Sequence, residues 1–81
     1  MIKREYNVTI EENKGVKVTM TLNAVKPSRA ILWVLKHHFL HMHTEDLNIY
    51  KYAPRDNVEE LIRYLSEAYI YARVNLSAGS N

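Results

Sequence analysis

Two runs of strict apolar–polar alternation near the start of the chain constrain its fold more than any other feature. In residues 4–10, Tyr6, Val8 and Ile10 share one side while Glu5, Asn7 and Thr9 take the other. In residues 16–22, Val16, Val18, Met20 and Leu22 alternate in the same way with Lys17, Thr19 and Thr21. Successive strand side chains point to opposite faces, so period two in β-prone residues predicts two half-buried strands. The polar segment between them, Glu11-Glu12-Asn13-Lys14-Gly15, offers Asn13 or Gly15 for a positive φ. The two runs therefore close as an antiparallel hairpin with one apolar and one polar face.

The rest of the chain must cover that apolar face. Ile31, Leu32, Leu35, Phe39 and Met42 follow helical spacing, which predicts a helix from about Arg29 to Met42 with Ser28 as its N-cap. Residues 47–52 are β-prone and stop before Pro54, and read as a third strand. Asp56, with Glu59 three residues on, resembles a capping box at the start of a second helix. Its buried stripe would be Val58, Leu61, Ile62, Leu65, Tyr69 and Ala72. The expected order is ββαβα, an α+β two-layer sandwich with both helices on one face of the sheet. A right-handed crossover would set strand three parallel to strand two, in the order 2-1-3. The Thr, Lys, Glu and Asn residues of the other sheet face permit it to stay in water.

Length fits this economy. The chain has 81 residues, room for one domain, here expected over residues 1–75 with a frayed tail at 76–81. It has no cysteine, which removes disulfides and thiolate–metal sites and suits a reducing compartment. The beginning of the sequence lacks the apolar core of a signal peptide, and the longest apolar run, residues 30–35, is far short of a membrane span. A cytoplasmic location is the expectation. The short, plain chain also suits a compact viral or mobile-element genome.

Four groups of residues bear on function. His37, His38, His41 and His43 crowd the end of the first helix, and Glu45 extends the His37/His41 line. Two imidazoles and a carboxylate suit Zn²⁺, but the spacing lacks the internal Glu of a metalloprotease helix. The plainer reading is a solvated helix C-terminus, where histidine is electrostatically comfortable. No metal and no other cofactor is expected.

The opposite side of the same helix carries Arg29, Trp33, Lys36 and Leu40, an apolar ridge flanked by cations. A helix apolar on two sides sits deep in a core or has a partner, and so short a chain hardly covers both sides. On the second helix, Tyr64 and Tyr71 fall seven residues apart, opposite Leu61 and Leu65 and beside Glu60 and Glu67. Such a stripe suits a protein interface, or else packs on neighbouring loops. Lys26, Arg29, Lys36 and Trp33 would together suit a nucleic acid, with Lys14 and Lys17 extending the surface. Basic residues nevertheless occur along the whole chain among acids, which add up to a net charge of only +2, without an RNA- or DNA-binding motif.

Catalysis has the least support, since the chain has no Gly-rich phosphate loop, nucleophile elbow or cysteine nucleophile. The sequence therefore points to a small non-enzymatic regulator, inhibitor or adaptor. Its expected partner-binding residues are Arg29, Trp33, Lys36, Leu40, Tyr64 and Tyr71, with self-association open to the same ridge. A small RNA- or DNA-binding domain is the alternative.

Overall fold

The computed structural model describes residues 2–39 and 44–77. Its elements are β1 (Arg4–Glu12), β2 (Lys17–Ala24), α1 (Pro27–His38), α2 (Thr44–Lys51), α3 (Val58–Glu67) and β3 (Ile70–Leu76). The three strands form one open sheet in the order β2-β1-β3. The fold is α+β, as the alternation and the amphipathic stripes require.

The hairpin forms, but β1 runs on through Glu11 and Glu12, which the sequence reading placed in the loop, so that Tyr6 lies opposite Leu22, Val8 opposite Met20 and Ile10 opposite Val18. Gly15 takes the positive φ, 97°, and its N–H donates to the Glu12 carbonyl at 3.0 Å. The Glu12 N–H donates in turn to the Val16 carbonyl at 2.9 Å. Val8 and Ile10 on the central strand are fully excluded from water, in one core cluster with Ile31, Leu35, Leu61 and Leu65. Each such side chain contributes about 1.5–3 kcal/mol through burial.

Two helix starts differ from the sequence reading. α1 begins at Pro27, because proline's fixed φ and missing N–H suit the first helical position. Ser28 is thereby drawn inside the helix. It is 1% exposed, and its hydroxyl donates to the Arg55 carbonyl at 2.9 Å, tying α1 to the segment before α3. At α3 the cap is Asn57, whose side-chain oxygen accepts from the Glu60 N–H at 3.0 Å. Asp56 lies one residue outside and pairs with Lys26, the residue before α1, and with Arg29 in its first turn. α1 ends at His38, short of the expected Met42, with Phe39 as its C-cap donating its N–H to the Leu35 carbonyl; Met42 itself lies outside the described residues.

The third strand comes from a different segment than expected, so the order is ββαααβ and not ββαβα. Residues 47–52 belong mostly to α2. Thr44, Glu45 and Asp46 occupy its first turn, where such residue types are common. Tyr64 Oη donates to the Ile49 carbonyl at 2.8 Å and Arg55 Nη2 to the Tyr50 carbonyl at 2.9 Å, so carbonyls at its C-terminal end are satisfied. Those tertiary bonds outweigh the β propensity of Ile49, Tyr50 and Tyr52, which is a weak prior.

The second expected helix, read as far as Ala72, ends at Glu67, and the chain turns at Tyr69 with φ 61°. From there Ile70, Ala72 and Val74 alternate with Tyr71, Arg73 and Asn75, and the segment pairs antiparallel with β1. Val8 is opposite Val74 and Ile10 opposite Ala72. β3 therefore runs in the same direction as β2 and gives the central strand its second ladder. Leu76, placed in the frayed tail by the sequence reading, pairs with Tyr6, and Ser77 donates its N–H to the Glu5 carbonyl at 3.0 Å. Residues 78–81 lie outside the description. α1 and α3 cover one sheet face, while Asn7, Thr19, Thr21, Tyr71 and Arg73 leave the other in water. No described helix is long and apolar enough to cross a membrane.

Candidate partner-binding surface

α1 lays Ala30, Ile31, Leu32, Val34 and Leu35 into the core, which turns Arg29, Trp33 and Lys36 outward together. The expected second side of this helix is thus exposed, and Trp33 keeps 43% of its surface in water. Leu40, the fourth residue expected there, lies outside the described residues. Trp33 is not loose. Its indole stacks on the His37 imidazole with ring centroids 4.0 Å apart and planes 17° from parallel. The His37 Nδ1–H donates to the Trp33 carbonyl at 2.9 Å, which fixes the imidazole one turn away. His38 lies at 6.2 Å on a tilted plane.

Beside the indole is an open concavity of about 470 Å³, lined by Lys3, Asn23, Ala24, Val25, Lys26, Arg29 and Trp33. Its apolar floor and cationic rim arise because the β2–α1 connection lies against the first turn of the helix. Lys26 Nζ and Arg29 Nη2 both reach Asp56 Oδ1, at 3.3 and 3.6 Å. One exposed carboxylate therefore serves two cations.

The two expected tyrosines are not brought to this surface, nor to each other. Tyr64 is half-buried, and its hydroxyl is committed to the Ile49 carbonyl at 2.8 Å. Burial pushes its ionisation above the ordinary phenol range. Its role is to join α3 to α2, which is the neighbour-packing outcome. Tyr71 is on β3 and not on a helix. It is exposed on the open sheet face, beside a smaller concavity of about 210 Å³ with Thr9, Glu11, Lys17 and Arg73. A helical projection that placed both tyrosines on one stripe fails because the helix stops between them.

The histidine line is only partly described. His37 and His38 are placed, and His37 commits one ring nitrogen to backbone. His41 and His43 lie outside the described residues, as does the Glu45 side chain. No group of three metal-ligating side chains occurs among the described residues.

The sequence reading missed one feature of charge. Taken over the whole chain the basic residues are interleaved with acids, but residues 16–43 contain no Asp or Glu at all. That stretch holds Lys17, Lys26, Arg29 and Lys36, and its described part contains β2 and α1, which lie next to each other. Counting charge per structural element would have found it. Comparisons with family models, with curated proteins and with solved structures give no match to this chain.

Proposed function

We propose that this protein is a non-enzymatic regulator or adaptor that binds an acidic protein partner through the outward side of α1. The observation that carries this reading is Trp33, exposed yet held by His37, beside an apolar concavity rimmed by Lys3, Lys26 and Arg29. Tryptophan and arginine are the residue types most enriched among binding hot spots, and they act best where a large side chain is already ordered. The acid-free stretch gives the partner its sign: an anionic surface is attracted and a cationic one excluded. The proposed setting is cytoplasmic, with which a chain free of cysteine is compatible.

The same cations would also attract phosphates, so nucleic acid is the competing partner. Half-buried Val18, Met20 and Leu22 on β2, the strand whose Asn23 end borders the concavity, favour a protein, because they call for apolar side chains that a phosphodiester backbone lacks. The test is pull-down from nuclease-treated native extract with the wild-type chain, Trp33→Ala and, as a remote control, Arg63→Ala. Loss of a specific protein band with Trp33→Ala alone is the expected result. Retained nucleic acid, with binding that falls steeply in salt and survives Trp33→Ala, would overturn the reading.

A further inference from the structure

β2 is an outer strand, and its outer edge is unusually open. Among the described residues it pairs only with β1, through eight consecutive residue pairs without a bulge. In an antiparallel ladder, alternate residues exchange their hydrogen bonds with one neighbour, and those between point their backbone groups the other way. The Glu12 N–H bond to the Val16 carbonyl sets the phase. Val18, Met20 and Leu22 therefore bond to β1, while the N–H and C=O groups of Lys17, Thr19, Thr21 and Asn23 point outward.

Sheet edges are normally blunted by proline, bulges or inward charges. β2 has none of these; its one charged residue, Lys17, stands at the strand's start on the open sheet face. The apolar layer beneath this edge is also unfinished. Val8 and Ile10 on the central strand are fully buried, but their partners Met20 and Val18 remain half-exposed, as does Leu22. On the far side, Ile70 and Ala72 of β3 are already buried. One further strand beside β2 would complete the layer, and the Trp33 concavity adjoins the Asn23 end of the same edge.

Building on the protein-binding reading, we infer that the occupant is an extended segment of the partner that adds to the sheet alongside β2. Its inward side chains, every second residue, pack on Val18, Met20, Leu22 and Trp33, and backbone hydrogen bonds supply the rest of the recognition. Its flanks carry Asp or Glu, because the chain from β2 through α1 holds Lys17, Lys26, Arg29 and Lys36 and no acid. A second copy of this chain is a poor occupant, since the pairing would set one acid-free cationic flank beside another. A phosphodiester backbone, whose phosphate oxygens only accept, cannot answer an edge that alternates donor and acceptor along its length.

The test uses the full chain, immobilised and screened against a display library of random twelve-residue peptides. Enriched peptides are then synthesised, both unmodified and with N-methyl groups on alternate residues. Titrations compare the wild-type chain with Thr21→Pro, Thr21→Ala and Trp33→Ala. Proline at Thr21 removes an outward N–H and leaves the β1 ladder intact, as edge positions allow. The expected result is apolar residues at alternate positions with acidic flanks. At least about a tenfold loss of affinity should follow from Thr21→Pro and from one phase of N-methylation, with Thr21→Ala near wild type. N-methylation reads the same bonds without touching the fold, should Thr21→Pro fold poorly. If Trp33→Ala abolishes binding while unaltered affinity follows both edge modifications, the strand inference fails and the protein-binding reading stands. If no peptide is enriched over an unrelated protein, both fail. A dimer in sedimentation that Thr21→Pro dissolves would assign the edge to a second copy and overturn the proposal.

Discussion

The Trp33 indole lies flat on the His37 imidazole one helical turn away, and the His37 ring is itself anchored to the Trp33 carbonyl. A side chain as large as tryptophan loses rotamer freedom when it docks, and here part of that loss is incurred before the partner arrives. The arrangement separates two effects of mutation. Trp33→Ala should abolish binding of the acidic peptide, while circular dichroism stays native because the indole lies outside the core. His37→Ala should leave the indole in place but less ordered, weakening binding about three- to tenfold, chiefly through faster dissociation. Stopped-flow measurements distinguish the two. A Trp33→Ala chain that unfolds would show the indole to be part of the core and remove it from the interface.

The turn between α3 and β3 makes a stability prediction. Tyr69 sits at φ 61°, in the left-handed region where a residue with a Cβ is strained by about 1–2 kcal/mol. Its side chain is 62% exposed, so little packing is at stake. Tyr69→Gly should raise the urea midpoint, by roughly 0.5–1 kcal/mol in unfolding free energy after the loss of partial burial. A lower midpoint would mean that the exposed ring holds the turn in place through contacts worth more than the strain.

Tyr69 also explains why part of the fold was hidden in the sequence. The hairpin, α1 and the start of α3 were legible because their apolar periods run without competition and their ends fall near Pro, Asp or Asn. Beyond Leu65 two periods overlap. Tyr69 and Ala72 extend the helical stripe, whereas Ile70, Ala72 and Val74 begin an alternating one. A glycine would have marked the stop, and none is present there. The choice is made by β1, whose second row of backbone groups needs a strand. Residues 47–52 failed for the converse reason. Their local β propensity is overridden by bonds from Tyr64 and Arg55, which no local window contains. Of the expected residues, Arg29, Trp33 and Lys36 share one exposed helix side as read, because that placement depends on one helix alone. Tyr64 and Tyr71 do not share a stripe, because their grouping assumed that α3 ran on.

Tyr64 carries a pH prediction. Burial raises its pKa in the folded chain, whereas the unfolded phenol titrates at about 10. The folded state therefore holds its proton longer than the unfolded state. The contribution is complete below about pH 10 and is lost as pH rises through the folded value. Tyr64→Phe should cost about 0.5–1.5 kcal/mol at neutral pH, from the hydrogen bond to the Ile49 carbonyl. It should also flatten the alkaline limb of stability above about pH 10. Urea titrations of both chains across that range are the check. An identical alkaline slope would exclude Tyr64 as its source.

Asp56 offers the sharpest separation of stability from binding. It receives Lys26 at 3.3 Å and Arg29 at 3.6 Å, and it is the one acid paired with the acid-free unit of β2 and α1 among the described residues. All three groups are substantially exposed, and exposed pairs of this kind contribute about 0–1 kcal/mol. Helix α3 does not depend on it, since Asn57 is the cap. Asp56→Asn should therefore leave thermal stability within a few degrees of wild type, by about 1 kcal/mol or less. For the acidic peptide the effect reverses sign. Removing a competing carboxylate frees Lys26 and Arg29 for the partner, so affinity should rise about two- to fivefold, with a steeper dependence on salt. Calorimetric titration at low and high salt reads both. Unchanged affinity at every salt concentration would show that Lys26 and Arg29 do not meet the partner, and the cationic rim of the concavity would drop out of the interface.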